Sequence, residues 1–196
     1  MNITMEPMRP EEIPAVSAMM GQAYVTSPLN IAAFGSNSHR NEGFFRVAIE
    51  HLPVQTFVAK DDGQIVGAMG MVEWPNCQLP PLKMLPLLPS MLKVLGGSII
   101  NVFKWLPVWG KLDPKQPHWH FGPFSVLPER QQQGIGSKLL TYFCERVDRL
   151  GAAAYLETDK PENVRLYQRF GFEVTSEAPV LGVPNWFMWR SPQPKV

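Results

Sequence analysis

The stretch from residue 118 to 158 is the feature that most restricts how this chain can fold. Its two ends, "HWHFGPFSVL" and "AAAYLET", are extended apolar segments that predict strands. Between them, "GIGSKLLTYFCERVDRL" predicts a helix because apolar residues recur at helical spacing. A strand, a helix and a strand in succession form a right-handed crossover between two parallel strands. The chain is therefore predicted to build an α/β sheet that contains a parallel pair.

The flanking segments predict more strands and helices around this unit. "ITMEPM" predicts a first strand, "RPEEIPAVSAMMGQAY" and residues 42–51 predict helices, and two apolar runs around Asp62-Gly63 predict a hairpin. "DKPENVRLYQRFGF" predicts a short helix, and "FEVTSEA" and "NWFMWR" predict closing strands. The predicted order is β-α-α-β-β, an insertion, and then β-α-β-α-β-β, in one domain spanning residues 1–196.

Composition excludes several classes of protein. Hydrophobic residues make up 45% of the 196 residues, which suits one compact domain, and the net charge of +1 gives no basis for binding nucleic acid or an anionic membrane. The N-terminus lacks a signal-peptide pattern, and the two cysteines stand far apart without metal-ligand spacing. A reduced, cytoplasmic protein that is a monomer or homodimer is expected.

A proline-rich insertion occupies about residues 75–117. Leu88, Leu92, Leu95, Ile99, Val102 and Leu106 recur there at helical spacing, which predicts a helix pair bent near Gly96-Gly97. Prolines and two lysines interrupt the apolar run, so it falls short of the roughly 20 residues of a membrane span. The insertion is expected to pack on the domain, to cover a substrate site, or to bind a partner.

The turn "PERQQQGIGSKLL" places two glycines where the predicted helix begins. Free N–H groups and the helix dipole at such a point suit phosphate oxygens, and glycine lets a phosphate approach the backbone. The turn matches neither the dinucleotide fingerprint GxGxxG nor the P-loop GxxxxGK[ST]. The glycines therefore have a structural use, a ligand-binding use, or both.

In three ordered blocks the sequence resembles the GNAT N-acetyltransferase superfamily. Residues 131–136, "QQQGIG", match its coenzyme A loop Q/R-x-x-G-x-G/A, "SVLPE" resembles the preceding strand end, and Asn163, Tyr167, Gly171 and Phe172 match N-x-x-x-Y-x-x-x-G-F. Residues 154–174, the closing "NWFMWR" and the insertion look most like relatives of puromycin N-acetyltransferase. The resemblance implies the GNAT fold: a mixed, mostly antiparallel sheet with a splayed parallel central pair and helices on both faces.

The resemblance also implies a site for acetyl-CoA, the expected co-substrate. The residues expected to bind it are Phe124, Ser125, Val126, Gln131, Gln132, Gln133, Gly134, Ile135, Gly136, Ser137, Asn163 and Tyr167. Tyr167 is the implied acid for the departing thiolate, although it could be a core aromatic. Asn163 is expected to contact the cofactor, although it could cap its helix.

The base that would deprotonate the amine is expected to be His120. On an extended strand His118, His120, Gly122, Phe124 and Val126 share one face, and an ordinary histidine pKa near 6.5 suits this role. His120 could instead pack or contact substrate, and His118 and Glu73 are weaker candidates. The two histidines could ligate zinc, but the sequence offers no evident third ligand, so no metal is expected.

The predicted activity is acetylation of a primary amine on a small molecule, by direct transfer in a ternary complex. Cys144 lies mid-helix beside the apolar stripe without a partner histidine, which argues against an acyl-cysteine intermediate. Two alternatives remain: acetylation of a protein or peptide amine, and a catalytically silent acyl-CoA-binding sensor. A turnover assay with a panel of amines would separate them.

Overall fold

Seven strands form one sheet in a computed structural model that describes residues 2–78 and 84–193. The strands are β1 (Ile3–Pro7), β2 (Gln55–Asp61), β3 (Gln64–Glu73), β4 (Trp119–Val126), β5 (Ala154–Thr158), β6 (Glu173–Val180) and β7 (Val183–Arg190). Their order is β1-β2-β3-β4-β5-β7-β6. The β4–β5 pair is parallel and the other five neighbouring pairs are antiparallel. The predicted mixed, mostly antiparallel sheet is confirmed.

Seven α-helices accompany the sheet in the described residues. They are α1 (Ile13–Ala23), α2 (Pro28–Phe34), α3 (Ser38–His51), α4 (Leu88–Leu95), α5 (Ile99–Leu112), α6 (Ile135–Leu150) and α7 (Pro161–Gln168). The sequence prediction of two helices before β2 is wrong, because α2 is a third. At seven residues, α2 is too short for a clear periodicity. Its start is nevertheless capped, since the Ser27 hydroxyl accepts a hydrogen bond from the Asn30 backbone N–H.

Helices cover both faces of the sheet, as predicted. On one face, α6 and Tyr167 of α7 pack on residues of β2 to β5. On the other face, α1 and α3 pack over β2 and β3, while α2, α4 and α5 pack over β5, β6 and β7. The apolar stripe predicted for α6 is buried at Ile135, Leu139, Phe143 and Val147, and Leu150 is exposed where the helix ends.

The parallel strands β4 and β5 pair over a short distance and then separate. Their registered partners are Trp119 with Ala154 and His120 with Tyr155. The rest of β4 stays on β3, and the rest of β5 stays on β7. The predicted splay is therefore present, and it opens the sheet in its middle.

A bulge in β4 changes which of its side chains share a face. Met69 pairs with Phe124 and Met71 with Phe121, so two residues of β4, Gly122 and Pro123, stand opposite Gly70. Phe121, Phe124 and Val126 consequently belong to the cluster under α6. His118 and His120 instead contact the ring of Tyr155, which belongs to the opposite cluster. The prediction that these histidines share a face with Phe124 and Val126 is wrong, because the bulge shifts the alternation.

The insertion forms α4 and α5, which meet near Gly96, as predicted. Gly96 has φ +53°, a conformation that ends α4. The inner sides of the two helices bury Met91, Leu95, Val102 and Trp105, whereas Leu92 is exposed. The expectation that this run falls short of a membrane span is wrong by length and composition, because Leu85–Leu112 passes that test with 22% of its most apolar window buried, whereas the core helices of soluble proteins that also pass it are mostly buried. The expectation of no membrane contact stays a prediction, and residues 79–83 of the insertion lie outside the described part.

Candidate active site

A cavity of about 640 Å³ lies where β4 and β5 separate. Its lining includes residues of the glycine turn before α6 and of α7, together with residues of α2, α3 and α5. Of the predicted site residues, the lining includes His120, Phe124, Ser125, Val126, Gln131, Gln132, Ile135, Gly136, Asn163 and Tyr167. The predicted set is thus largely brought together in one place.

The glycines of the turn have structural uses of their own. Gly134 precedes the first residue of α6 in the left-handed conformation, with φ +81° and ψ 0°, a region that glycine enters without the usual cost. A Cβ on Gly136 would lie 3.2 Å from the ring of Phe124, closer than ordinary contact. At Gly134 a Cβ would meet no described atom within 4 Å, so the space beside the turn is open. The left-handed conformation of Gly134 and the close approach of Phe124 to Gly136 both favour glycine, and the turn still leaves room for a ligand.

Three predicted cofactor residues do not line the cavity. Gly134 and Ser137 are absent from the lining, and Gln133 turns its side chain toward Arg130 Nε and the Glu129 carbonyl, at 3.1 and 3.2 Å. Gln131 instead donates to the Val126 carbonyl at 3.2 Å, which ties the turn to the end of β4. The cofactor roles of Gln133, Gly134 and Ser137 stay predictions.

The β4 wall carries polar groups at its bulge. The Tyr24 hydroxyl donates to the Phe124 carbonyl at 3.0 Å and accepts from the Phe124 N–H at 3.2 Å. Burial raises the pKa of Tyr24 to about 12, so its hydroxyl stays protonated. Ser125 Oγ is buried and has no hydrogen-bond partner among the described residues. A buried hydroxyl on a cavity wall without a partner is available to a ligand.

Tyr167 is both a core aromatic and a cavity residue. It is 4% exposed, and its ring centroid lies 6.3 Å from that of Phe121 and 6.0 Å from that of Phe172. Burial, reinforced by Tyr24 and Asp159, raises its pKa well above the ordinary value, so the hydroxyl is protonated at neutral pH. The two interpretations of Tyr167 left open by the sequence are therefore compatible in this geometry.

Asn163 also lines the cavity, near the start of α7. The residue that precedes α7 is Lys160, and no side chain caps the helix there. Asn163 Nδ2 donates instead to Thr158 Oγ1 at 3.4 Å. The alternative in which Asn163 caps its own helix is therefore wrong.

His120 reaches the cavity beside Glu157, a residue that sequence analysis missed. Nε2 of His120 lies 2.8 Å from Oε2 of Glu157, whose side chain is 3% exposed. Burial lowers the His120 pKa, but the charges of Glu157 and Cys77 and their hydrogen bonds outweigh it and raise the pKa to about 10. This differs from the ordinary pKa on which the expected base role depends. Glu73 is exposed at the end of β3, outside the lining.

The far end of the cavity is aromatic. Trp105 and Trp109 of α5 meet edge to face at 4.9 Å, and Trp105 stacks on Phe44 at 5.8 Å. All three residues line the cavity. Two of them come from the insertion, which therefore contributes a wall as well as packing. The apolar pattern of the insertion was visible in the sequence, but the direction of these tryptophans was not.

Asp159 fastens the start of α2 beside the start of α7. Its Oδ2 accepts from the Ser27 hydroxyl at 2.6 Å and from the Leu29 backbone N–H at 2.7 Å. Asp159 follows β5, so the start of α2 is held against the edge from which α7 begins. This pairing connects residues far apart in sequence, and no local pattern indicated it.

The structure corrects the expectation that the histidines have no further metal ligands nearby. His118 and His120 lie with Cys77 and Asp113, and the four ligand atoms are all within 4.8 Å of one another. Cys77 seemed unrelated in sequence because the insertion separates it from the histidines. Cys144, in contrast, is buried in α6, where burial raises its pKa to about 11.

Comparison with known families agrees with this architecture. The family model of the acetyltransferase (GNAT) family matches residues 30–172, a span that contains α3, the insertion, the glycine turn and Tyr167. The family model thus covers most of the chain, including the splayed parallel pair and the glycine turn. This protein belongs to the acetyltransferase (GNAT) family and is an N-acetyltransferase.

Solved structures share the fold at low sequence identity. A Corynebacterium glutamicum structure described as histone acetyltransferase HPA2 and related acetyltransferase has a TM-score of 0.77 at 23% identity, covering 100% of both chains. Arylalkylamine N-acetyltransferase 2 from Aedes aegypti has a TM-score of 0.71 at 16% identity, covering 97% of this chain and 99% of that one. A Brucella melitensis GNAT family acetyltransferase in complex with acetyl-CoA has a TM-score of 0.56 at 20% identity, covering 100% and 91%.

Proposed function

We propose that the protein transfers the acetyl group of acetyl-CoA directly to a primary amine on a small molecule with an apolar or aromatic body. The observation that carries the proposal is the cavity itself. It joins the glycine turn and Tyr167 at one end to a wall of Phe44, Trp105 and Trp109 at the other. One space thus has room for both reactants, as a ternary complex requires.

The cofactor end suits the pyrophosphate and pantetheine parts of coenzyme A. The first-turn N–H groups of α6 and the positive end of its dipole favour phosphate oxygens. Gly134 leaves the approach to the backbone open, and the unpartnered hydroxyl of Ser125 lies farther along the wall. The Brucella melitensis relative in complex with acetyl-CoA supports the same co-substrate here.

Tyr167 is the proposed acid for the departing thiolate. A group in this role must carry its proton before the reaction, and the raised pKa of Tyr167 satisfies that condition. Tyr167 lines the same cavity as the glycine turn, so its hydroxyl is placed to meet a thioester bound there. Its ring is fixed by Phe121 and Phe172, which limits the positions the hydroxyl can take.

Glu157 is the proposed anchor for the amine. It is a buried carboxylate on the wall between the two ends, and His120 holds it at ion-pair distance. A carboxylate there can accept hydrogen bonds from an amine and orient its lone pair toward the acetyl carbon. His120 as the base or a water relay, as expected from the sequence, stays a prediction.

A small-molecule acceptor is favoured over a basic peptide by the aromatic wall and by the burial of the proposed anchor. Of the acidic lining residues, Glu157 is buried beside His120, Asp159 accepts from Ser27 and Leu29, and Glu162 alone is exposed, so the cavity has one exposed carboxylate rather than an acidic groove. The puromycin N-acetyltransferase-like subgroup also remains a proposal. Its support is the resemblance of the proline-rich insertion and of residues 154–174 to that subgroup.

Turnover with a panel of amines tests the proposal. An arylalkylamine, an aliphatic polyamine and a lysine-containing peptide are each offered with acetyl-CoA, and free thiol release is followed. We expect the arylalkylamine to be preferred, with intersecting initial-velocity lines, whereas parallel lines would indicate an acyl-enzyme. Preference for the peptide would favour the protein-amine alternative. Binding of acetyl-CoA without turnover of any amine would favour the silent sensor.

A variant pair tests the acceptor wall. Trp109→Leu removes a cavity-lining ring, so the KM for the amine is expected to rise while acetyl-CoA affinity stays unchanged. Trp186→Leu is the matched control, because Trp186 is partly buried on β7 outside the lining. Equal effects of the two substitutions on the KM for the amine would contradict the proposed position of the acceptor.

A further inference from the structure

Four potential metal ligands meet beside the acceptor end of the cavity. Cys77 lies in the turn after β3, Asp113 is the residue at which α5 ends, and His118 and His120 lie at the start of β4. Their ligand atoms all lie within 4.8 Å of one another. We propose that the protein holds one zinc ion bound by these four side chains. This proposal goes beyond acetyl transfer and does not depend on it.

The spacing of the ligand atoms matches a tetrahedral zinc site. Zinc bonds are about 2.0–2.1 Å long to nitrogen or oxygen and about 2.3 Å long to sulfur. In a tetrahedral site these lengths place a nitrogen about 3.3 Å from an oxygen, and a sulfur about 3.6 Å from a nitrogen or an oxygen. His118 Nε2 lies 3.3 Å from Asp113 Oδ1 and 3.6 Å from Cys77 Sγ. Cys77 Sγ lies 3.8 Å from Asp113 Oδ2. These three distances are close to tetrahedral spacing, with Asp113 offering Oδ1 to His118 and Oδ2 to Cys77, and a bound ion would draw together the four ligand atoms that now lie within 4.8 Å of one another.

One carboxylate oxygen of the cluster is buried without a hydrogen-bond partner among the described residues. The side chain of His118 is 0% exposed and that of Asp113 is 6% exposed. Although His118 Nε2 is 3.3 Å from Asp113 Oδ1, that oxygen has no hydrogen-bond partner among the described residues. A buried carboxylate oxygen without a donor is costly, and a cation between the two atoms removes that cost.

Outer partners orient both histidines as in known zinc sites. Nδ1 of His118 lies 2.8 Å from the Gln116 carbonyl, which can only accept, so Nδ1 carries the hydrogen. Nε2 is then the atom that faces Cys77 and Asp113. His120 has the carboxylate of Glu157 beside its ring. A carbonyl or carboxylate behind each histidine is the usual outer shell of a zinc ligand.

The ligand chemistry favours zinc over harder cations. One sulfur, two imidazoles and one carboxylate form a mixed S, N and O set, which zinc accepts and which magnesium or calcium does not. Binding displaces the thiol proton of Cys77, because a thiolate is the ligand. The ion would join both ends of the insertion, at Cys77 and Asp113, to β4, so its expected role is to fix the acceptor wall.

The competing interpretation is a metal-free ion pair. A protonated His118 beside the Asp113 carboxylate could neutralise the cluster without zinc. The two interpretations predict different metal contents for the purified protein, which makes elemental analysis the direct test. Activity need not be measured, so this test can fail while the proposed acetyl transfer stands, and the reverse also holds.

The test uses the full chain, purified without a histidine tag, incubated with zinc chloride and then freed of unbound metal. We expect one zinc per chain by elemental analysis. Cys77→Ser and His118→Gln should each weaken zinc binding by at least about 10- to 100-fold, since altered outer partners alone have effects of that size. Cys144→Ser and His39→Gln are the matched controls, at a buried cysteine in α6 and an exposed histidine in α3, and should keep the full zinc content.

Cobalt provides a readout that does not require a variant to fold well. Cobalt bound at the site of the unaltered protein should give a thiolate-to-metal absorption band, which Cys77→Ser should lack and Cys144→Ser should retain. The proposal is overturned if the zinc-treated protein retains no metal above the buffer level. It is also overturned if Cys77→Ser and Cys144→Ser retain equal amounts, or if another first-row metal is kept in preference to zinc.

Discussion

Replacing Tyr167 by phenylalanine removes one hydroxyl and keeps the ring between Phe121 and Phe172. No hydrogen bond to a described residue is lost, so the free energy of unfolding should change by about 1 kcal/mol or less. If the hydroxyl protonates the departing thiolate, kcat should fall about 10²–10⁴-fold. Acetyl-CoA affinity should change little, because the lost interaction forms mainly in the transition state.

The assay combines single-turnover acetylation, so that chemistry rather than product release is measured, with calorimetry of acetyl-CoA binding and urea unfolding. Tyr142→Phe is the matched control, because it makes the same chemical change on α6, where the ring packs against Phe57 outside the cavity. A fall in the chemical rate of Tyr167→Phe no larger than that of the control would refute the catalytic role. Lost stability together with lost binding would assign Tyr167 to the core alone.

Two further predictions concern the turn and the stability of the fold. Gly136→Val should weaken acetyl-CoA binding about tenfold or more, because the added side chain displaces the Phe124 ring in the wall of the site. Calorimetry of acetyl-CoA binding measures this effect. Gly97→Val is the control and should bind acetyl-CoA normally, because Gly97 has open space around it. Hydrogen bonds and charges from Arg9 and Lys60 lower the pKa of Glu12 from 4.5 to about 2. The contribution of the Glu12 carboxylate to the free energy of unfolding is therefore complete above pH 4.5 and is lost as pH falls toward about 2. Urea unfolding across that pH range should show a smaller loss of unfolding free energy for Glu12→Gln than for the unaltered protein. An identical pH dependence of the two proteins would contradict the ion-pair argument.

The strand–helix–strand unit was predictable because its signals are local. The apolar stripe of α6 and the two flanking apolar runs each depend on neighbouring residues, and a parallel crossover follows from their order alone. The hairpin at Asp62-Gly63 was equally visible, and the structure gives both residues positive φ, at 48° and 82°. The short helix α2 was missed because seven residues do not complete enough turns to show a period.

The face assignment on β4 failed for a reason that is not local. Alternation along a strand holds until a residue is inserted, and the bulge opposite Gly70 inserts one. A Cβ on Gly70 would meet the Gly122 carbonyl at 2.7 Å, so the close approach of β3 and β4 depends on that glycine. The alternation of a single strand does not reveal where its partner forces such a bulge.

Periodicity and glycine placement, read from the sequence alone, determined the sheet's parallel pair and the turn before α6, and the resemblance to the family motif singled out Tyr167. Tertiary structure alone decided which distant side chains share the site. Glu157 meets His120, Asp159 holds Ser27, and Cys77 and Asp113 meet the histidines of β4 from the two ends of the insertion. These contacts arise when separate elements pack together, and their spacing along the chain is set by the length of the intervening segments. Local patterns therefore specify the elements, and packing specifies the chemistry between them.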